Sequence, residues 1–426
     1  MLIGHQFATG EALNLSEDDR ARHIYCLGMS GSGKTNLMLN MARQEIEPGH
    51  GVCFIDPHGD GARTLLDAIP AWRVNDVIYL DPSDTEQPIG FNPLECHDPA
   101  RRPLVADGVV SAFKHVFADS WGPRLEHFLL NACRTLLEQD GATLLGIPLL
   151  FLDAKFRKAA VRQVRDPVVR MFWELEYPSY SERLLSDALS PIFNKINRVL
   201  SSPDVRNILC QPKSTIDMRE IMDGGKVLIV NLSKGSVGEG NAHLLGALLV
   251  NAIAQAALSR EDTPSEERPP FHLYVDEFQN FATDSFALIL SEARKYALTL
   301  TLAHQFLDQV PDALRQAVFG NCGSFISLRV GAEDAPLVAK HLGLANPQRV
   351  MDLANYRAVG RFLLDGVPTS PTHLRLEKLP VPTDSRAAQI VANSRNTRGR
   401  PRASVEERVG RFLKEKPPAR RRGSSH

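Results

Sequence analysis

Residues 23–35 read HIYCLGMSGSGKT, a strand-prone apolar run that breaks into a complete G-x-x-x-x-G-K-T pattern and passes into a helix-prone segment. Few sequence features restrict a fold so tightly, because such a loop works only where a strand feeds the N-terminus of a helix. Its glycines let backbone N–H groups turn inward around phosphate oxygens, Lys34 neutralises charge on the terminal phosphates, and the Thr35 hydroxyl reaches Mg2+. The helix N-terminus adds its dipole. Gly28, Ser30, Gly31, Ser32, Gly33, Lys34, Thr35 and Asn36 are therefore the candidate nucleotide-binding residues, with ATP and Mg2+ as the expected ligands.

The rest of the chain supplies the sheet that this loop requires. Strand-like runs at 51–57, 77–82, 226–232, 271–278, 298–305 and 323–330 alternate with helical patterns, which points to an α/β fold with a mostly parallel sheet. Most are continuous apolar runs, as expected of strands covered by helices on both faces. The alternation stops between about 97 and 222, where Leu185, Leu189, Ile192, Phe193, Ile196 and Leu200 follow helical spacing, with Pro191 as an expected kink. An all-α domain over 97–222 is thus expected between two parts of the sheet domain, 1–96 and 223–380.

Size and composition allow this. A chain of 426 residues exceeds a single core, and 43% hydrophobic with 23% charged residues is ordinary for a soluble globular protein. Six cysteines lie scattered without metal-ligand spacing, which suits reduced thiols in a cytoplasm. The N-terminus lacks the pattern of a signal peptide. The most apolar window, 243–258, falls short of the ~20 residues that a bilayer requires, so no membrane span is expected. Formal net charge is −1, but Ser394–His426 carries eleven Lys/Arg against three Asp/Glu, so 381–426 reads as a basic, flexible tail. Within it, SVEER is expected to start a helix, with Ser404 and Glu407 in capping-box spacing.

Catalytic candidates follow from strand ends. FHLYVDEFQ ends a hydrophobic run in Asp276 and Glu277: the first suits the Mg2+ shell, with Thr35, and the second suits removal of a proton from attacking water. Such a pair favours hydrolysis over kinase chemistry. The absence of an N-K-x-D motif disfavours a GTPase. In a parallel sheet Gln305, ending LTLTLAHQ, shares the edge of the phosphate loop and can contact the γ-phosphate or the lytic water. Arg294 and Lys295 precede that strand, ~20 Å from the same edge. Two readings stand for Arg294: an arginine finger acting in a neighbouring copy's site, and a cation favoured at a helix C-terminus.

GMSGSGKT, FIDPHGD, FNPLE, LYVDEFQNF, an Arg-Lys before the next strand and a strand ending in His-Gln together resemble the HerA/FtsK-like ring ATPases, within them the conjugative coupling proteins of type IV secretion, over about residues 1–380. The resemblance implies a RecA-like P-loop NTPase sheet with an inserted all-α domain, and hexamers around DNA. It assigns Lys34 and Thr35 to Walker A, Asp276 and Glu277 to Walker B, Gln305 to the motif III glutamine and Arg294 to the trans-acting arginine. The expected catalytic set is Glu277, Gln305, Arg294 and Lys34.

The implied activity is ATP-driven DNA translocation by a homohexamer, with a relaxase, nuclease or secretion-channel partner. The alternative is a nucleotide-gated assembly module that recruits such a partner without moving DNA. A cytoplasmic location is expected, with peripheral recruitment to the inner membrane open. Coupling proteins usually carry N-terminal membrane helices, which are not expected here. Asp56, His58 and Asp60 can serve the nucleotide edge or simply form a turn. Arg329 reads as an interface cation or an ordinary strand-end charge, and TRGRPR (397–402) as a minor-groove reader or a phosphate-attracting stretch.

Overall fold

Apolar runs flanked by loop residues form the strands of the computed structural model, which describes residues 1–283, 286–380 and 384–414. The chain divides into two compact units, one built from Met1–Asp81 and Asp217–Thr397, the other from Pro82–Ile216 and the residues from Arg398 on.

The strands of the first unit, in chain order, are β1 (Leu2–Gln6), β2 (Ala12–Asn14), β3 (Ile24–Leu27), β4 (Gly51–Asp56), β5 (Val77–Leu80), β6 (Val227–Asn231), β7 (Phe271–Val275), β8 (Leu298–His304), β9 (Ser324–Ser327), β10 (Arg357–Arg361), the small hairpin β11 (Leu363–Leu364) and β12 (Val367–Pro368), and β13 (Thr372–Arg375). Eleven of them make one mixed sheet in the order β2-β1-β13-β10-β9-β3-β8-β7-β4-β6-β5. The seven from β9 to β5 are parallel. In β3 to β9 every residue is buried, the mark of strands covered on both faces. The expected α/β reading with a mostly parallel sheet holds.

The antiparallel end formed by β10, β13, β1 and β2 was not expected from the sequence. These strands are short or carry charged residues, as in RAVGR and THLR, so they lack the long apolar run that marks a central strand.

Among the described residues one helix, Glu239–Ser259, is long and apolar enough to cross a membrane, contrary to the expectation from its apolar window. In the structure 72% of that window is buried, and its mostly small and aliphatic side chains make it a core helix of the first unit.

The second unit is helical. Ser181 caps the helix Glu182–Leu200, accepting from the Leu184 N–H, and the helix runs through Pro191 with Ala188, Ile192, Ile196 and Val199 buried. Phe128, Phe172, Trp173 and Tyr177 form an aromatic core, and the Trp173 indole finds the Thr135 hydroxyl at 2.7 Å. The division falls at 82 and 217 rather than at 97 and 222. Residues 88–92 hydrogen-bond to 208–215, with Phe91 N–H on the Ile208 carbonyl at 2.9 Å and Asn92 N–H on Ser214 Oγ at 2.9 Å. Arg219 and Arg260 tie the helix Met218–Asp223 into the sheet unit.

The tail is not a free arm over its described part. A helix at Ala387–Arg398 packs on the first unit, with Ile390 buried and Ser394 Oγ accepting from Tyr79 N–H at 3.0 Å. A second, Arg402–Lys414, joins the second unit through Val405, Val409 and the Phe156–Phe412 contact. It begins before Ser404, so the expected capping box does not form. In TRGRPR, Arg398 donates to the Thr215 carbonyl and Arg402 pairs with Glu406. The remaining basic residues, 415–426, lie outside the described residues.

His23 opens β3 at φ 64° and is buried. Its Nδ1 accepts from the Leu300 N–H and its Nε2 faces the Leu290 carbonyl, both at 3.1 Å, so both nitrogens are used by the neutral tautomer. Burial, with a smaller push from the Arg294 cation, lowers its pKa from 6.5 to about 4. A depressed folded pKa means that the unfolded chain takes the proton first. Stability is therefore full above about pH 6.5 and lost as pH falls toward 4, by on the order of 2–3 kcal/mol for this group. Denaturant unfolding across that window should show the loss, and His23→Gln should flatten it; an unchanged slope in the variant removes His23 as its source.

Candidate active site

Parallel strands bring their C-terminal ends to one edge, and three neighbours there carry the candidate residues. β3 runs into the phosphate loop, β7 into Asp276 and Glu277, and β8, hydrogen-bonded between them, into Gln305. The loop leads into the helix Lys34–Ile46, whose N-cap is Gly33 at φ 112° with no side chain capping it. Uncapped first-turn N–H groups and the helix dipole favour an anion. A Cβ on Gly33 would be strained by that φ and would lie 3.1 Å from the Tyr356 ring. Gly31 is also left-handed and exposed, with open space where a side chain would stand.

The side chains converge on Glu277. Lys34 Nζ lies 3.1 Å from Glu277 Oε1 and 3.3 Å from the Gly28 carbonyl. Gln305 Nε2 donates to the same carboxylate oxygen at 2.8 Å, and Gln279 Nε2 to the other at 3.0 Å. Glu277 itself takes the left-handed conformation at φ 47°, ψ 50°, sparsely populated for a residue with a Cβ. Such strain persists only where surroundings enforce it, and here three side-chain contacts to the carboxylate hold the residue.

Thr35 Oγ1 donates to Asp276 Oδ2 at 3.0 Å, which places the hydroxyl and the first Walker B acid together. Burial pushes Asp276 up to about 6, with the nearby Glu277 and Asp56 adding to it against Lys34 and the Thr35 hydrogen bond. Burial also acts upward on Glu277, but the Lys34 ammonium and the hydrogen bonds from Gln279, Gln305 and Lys34 bring it below its ordinary value. The pair is thus polarised: one acid ionised and gripped, the other short of positive charge. A hydroxyl and a buried carboxylate are hard oxygen donors, and a carboxylate lacking a counter-charge fits Mg2+.

Three expected residues stand elsewhere. Asn36 turns its amide to the Glu377 carbonyl and the Leu379 N–H, at 2.6 and 2.8 Å, so its side chain anchors the segment crossing the helix. Ser32 Oγ is spent on the Met29 carbonyl at 2.7 Å, leaving only its backbone for a phosphate. Arg294 is exposed in the turn before β8, at the opposite edge of the sheet from Gln305. Ser30 is exposed in the loop. Asp56 is buried and accepts from the His58 and Ala62 N–H groups, at 2.8 and 2.9 Å, which supports the turn reading of FIDPHGD. Arg329 reaches the Leu353 carbonyl at 3.4 Å.

Two contributors were missed. Gln279 lies inside LYVDEFQNF, two residues past Glu277, and that spacing was its signal. Tyr25 shares a short hydrogen bond with His304 and stacks on its ring, 5.5 Å between centroids. Burial lowers His304 to about 3, so a neutral imidazole fixes the residue beside Gln305.

No protein-family model matches the chain. Among curated proteins it is similar to the type 4 coupling protein DotL of Legionella pneumophila, 20% identical over 374 residues, covering 74% of this chain and 47% of that protein. The chain thus spans about half the length of that relative. Among solved structures it resembles the bacterial conjugative coupling protein TrwB, with a TM-score of 0.62 at 16% identity and 90% of each chain covered. TrwB was also solved with ADP and Mg2+, and that structure matches at 0.61 and 16% identity over 87% of this chain and 89% of that one. VirB4 of Thermoanaerobacter pseudethanolicus matches at 0.61, 14% identical, over 89% of this chain and 96% of that one. In fold, the chain is a RecA-type P-loop NTPase similar to the type IV coupling proteins.

Proposed function

We propose that the chain is a Mg2+-dependent ATPase that drives DNA through a ring of its own copies, as a coupling protein for type IV secretion or conjugation. The observation that carries this is the carboxylate of Glu277 held by Lys34, Gln279 and Gln305 at the mouth of an uncapped phosphate loop. The Lys34–Glu277 ion pair is a resting arrangement. When a triphosphate enters the loop, its negative charge competes for the Lys34 ammonium and releases Glu277 to act as a base. Glu277 then takes a proton from water as the water oxygen attacks the γ-phosphorus, and the bond to the β,γ-bridging oxygen breaks with ADP leaving. Gln305 and Gln279 hold the carboxylate for that transfer. Thr35 and Asp276 would hold Mg2+, which supplies charge neutralisation on the phosphate oxygens.

Arg294 is assigned to a neighbouring copy's site. It is exposed, it sits at the far sheet edge from Gln305, and the position matches the trans-acting arginine that the motif pattern implies. DNA as the moved substrate is supported by the similarity to TrwB and DotL, which are named as coupling proteins. A relaxase, nuclease or secretion-channel component is the expected partner class, and the proposed location is the cytoplasm, with peripheral recruitment to the inner membrane left open. The test is steady-state ATP hydrolysis with and without DNA. Stimulation of at least about tenfold supports a motor; DNA-indifferent turnover rejects it and leaves nucleotide-gated assembly.

A further inference from the structure

At the sheet edge away from the phosphate loop, three side chains from separate elements meet. Glu45 lies in the last turn of the helix Lys34–Ile46, His50 just before β4, and His272 is the second residue of β7. Glu45 Oε2 is 2.9 Å from His50 Nδ1 and 3.4 Å from His272 Nε2, and one ligand atom from each of the three residues lies within 4.8 Å of the others. Ligand atoms around a tetrahedral zinc ion stand about 3.3 Å apart, given bonds of about 2.0–2.1 Å. The donors are therefore close to metal-binding spacing already.

A hydrogen-bonded cluster alone explains the His50–Glu45 contact, but not His272. That residue is 5% exposed, and its Nε2 has no hydrogen-bond partner among the described residues although it lies 3.4 Å from Glu45 Oε2. Leaving a buried polar atom unpaired is costly, so it marks a place where a ligand belongs. Burial lowers His272 to about 4, which keeps the imidazole neutral, the form that binds metals.

Two positive charges oppose a cation here, the Arg20 guanidinium and the Met1 ammonium, which interacts with both Arg20 and Glu45. Arg20 Nη1 takes Glu45 Oε1 at 2.6 Å, leaving Oε2 to face both imidazoles. Glu17, 3.7 Å from Arg20 and 3.6 Å from His50 Nε2, offsets its charge.

We infer that Glu45 Oε2, His50 Nδ1 and His272 Nε2 form a binding site for a divalent transition metal of the zinc class, with water in the fourth position. Two imidazoles and one carboxylate suit zinc rather than Mg2+, which prefers all-oxygen shells. A bound ion ties the far end of the phosphate-loop helix to β7, the strand that ends in Asp276. The site stands independently of the proposed ATPase activity.

The test uses the full chain, stripped with a chelator and titrated with zinc ion alone, then with cobalt ion. One tight equivalent is expected, with affinity lowered at least about 100-fold in His272→Gln and in His50→Gln, beyond the 10- to 100-fold typical of losing an outer-shell contact. Cobalt should give the strong visible bands of a tetrahedral site in the parent chain and lose them in both variants. Asp276→Asn should keep the equivalent, which separates it from metal held at the nucleotide site. Because His50 is half-buried in a connection, His50→Gln carries the test if His272→Gln does not fold. No tight equivalent, equal affinity in the parent and the His50 variant, or loss of the equivalent in Asp276→Asn overturns the assignment.

Discussion

Glu277→Gln is expected to slow steady-state ATP hydrolysis by roughly 10²- to 10⁴-fold, the range contributed by a positioned general base, while nucleotide still binds. The amide keeps the volume of the side chain and can still meet Gln279 and Gln305, but it cannot accept a proton from water. Its loss of charge also frees Lys34 from the ion pair that now spans 3.1 Å. Affinity for a non-hydrolysable ATP analogue should therefore hold steady or rise, and equilibrium binding alongside phosphate release measures both. A fall in affinity with unchanged turnover of bound nucleotide would assign Glu277 to binding instead.

Arg294→Ala carries the second large effect. An arginine finger is worth about 10³- to 10⁵-fold in turnover, so loss of most activity with unchanged nucleotide affinity is expected. The distance decides this. The strand between Arg294 and Gln305 is seven residues, and at ~3.3 Å per residue it separates them by over 20 Å, too far for the arginine to serve its own nucleotide. If the arginine serves only as a cation at the end of its turn, the change costs about 0.3–1 kcal/mol of stability and turnover is unaffected. Thermal unfolding and kcat, measured on the same variant, tell these apart.

What the sequence made legible was whatever a short window can encode. The phosphate loop, the two Walker B acids and Gln305 each sit at the end of an apolar run, and parallel pairing of those runs is enough to bring them together. Partners distant in sequence stayed hidden. Asn36 belongs to the loop pattern, yet its amide is held by Glu377 and Leu379, more than 340 residues on. The same holds for the metal-type cluster, because Glu45 and His272 meet only where the helix Lys34–Ile46 packs on β7. Basic composition suggests a flexible tail, but in its described part Ile390, Val405 and Val409 supply buried anchors too widely spaced to read as a core pattern.

The claim on which the motor reading depends is that each ATP is shared by two copies of the chain. Its direct measurement is turnover in an equimolar mixture of Arg294→Ala and Glu277→Gln proteins, with mass determined in ATP analogue and DNA. Random mixing gives intact interfaces at about a quarter of the sites, an arginine from one variant meeting a glutamate from the other, so the mixture should recover up to that share of the parent rate. A mixture no more active than either variant alone, or a fully active single subunit in solution, contradicts it.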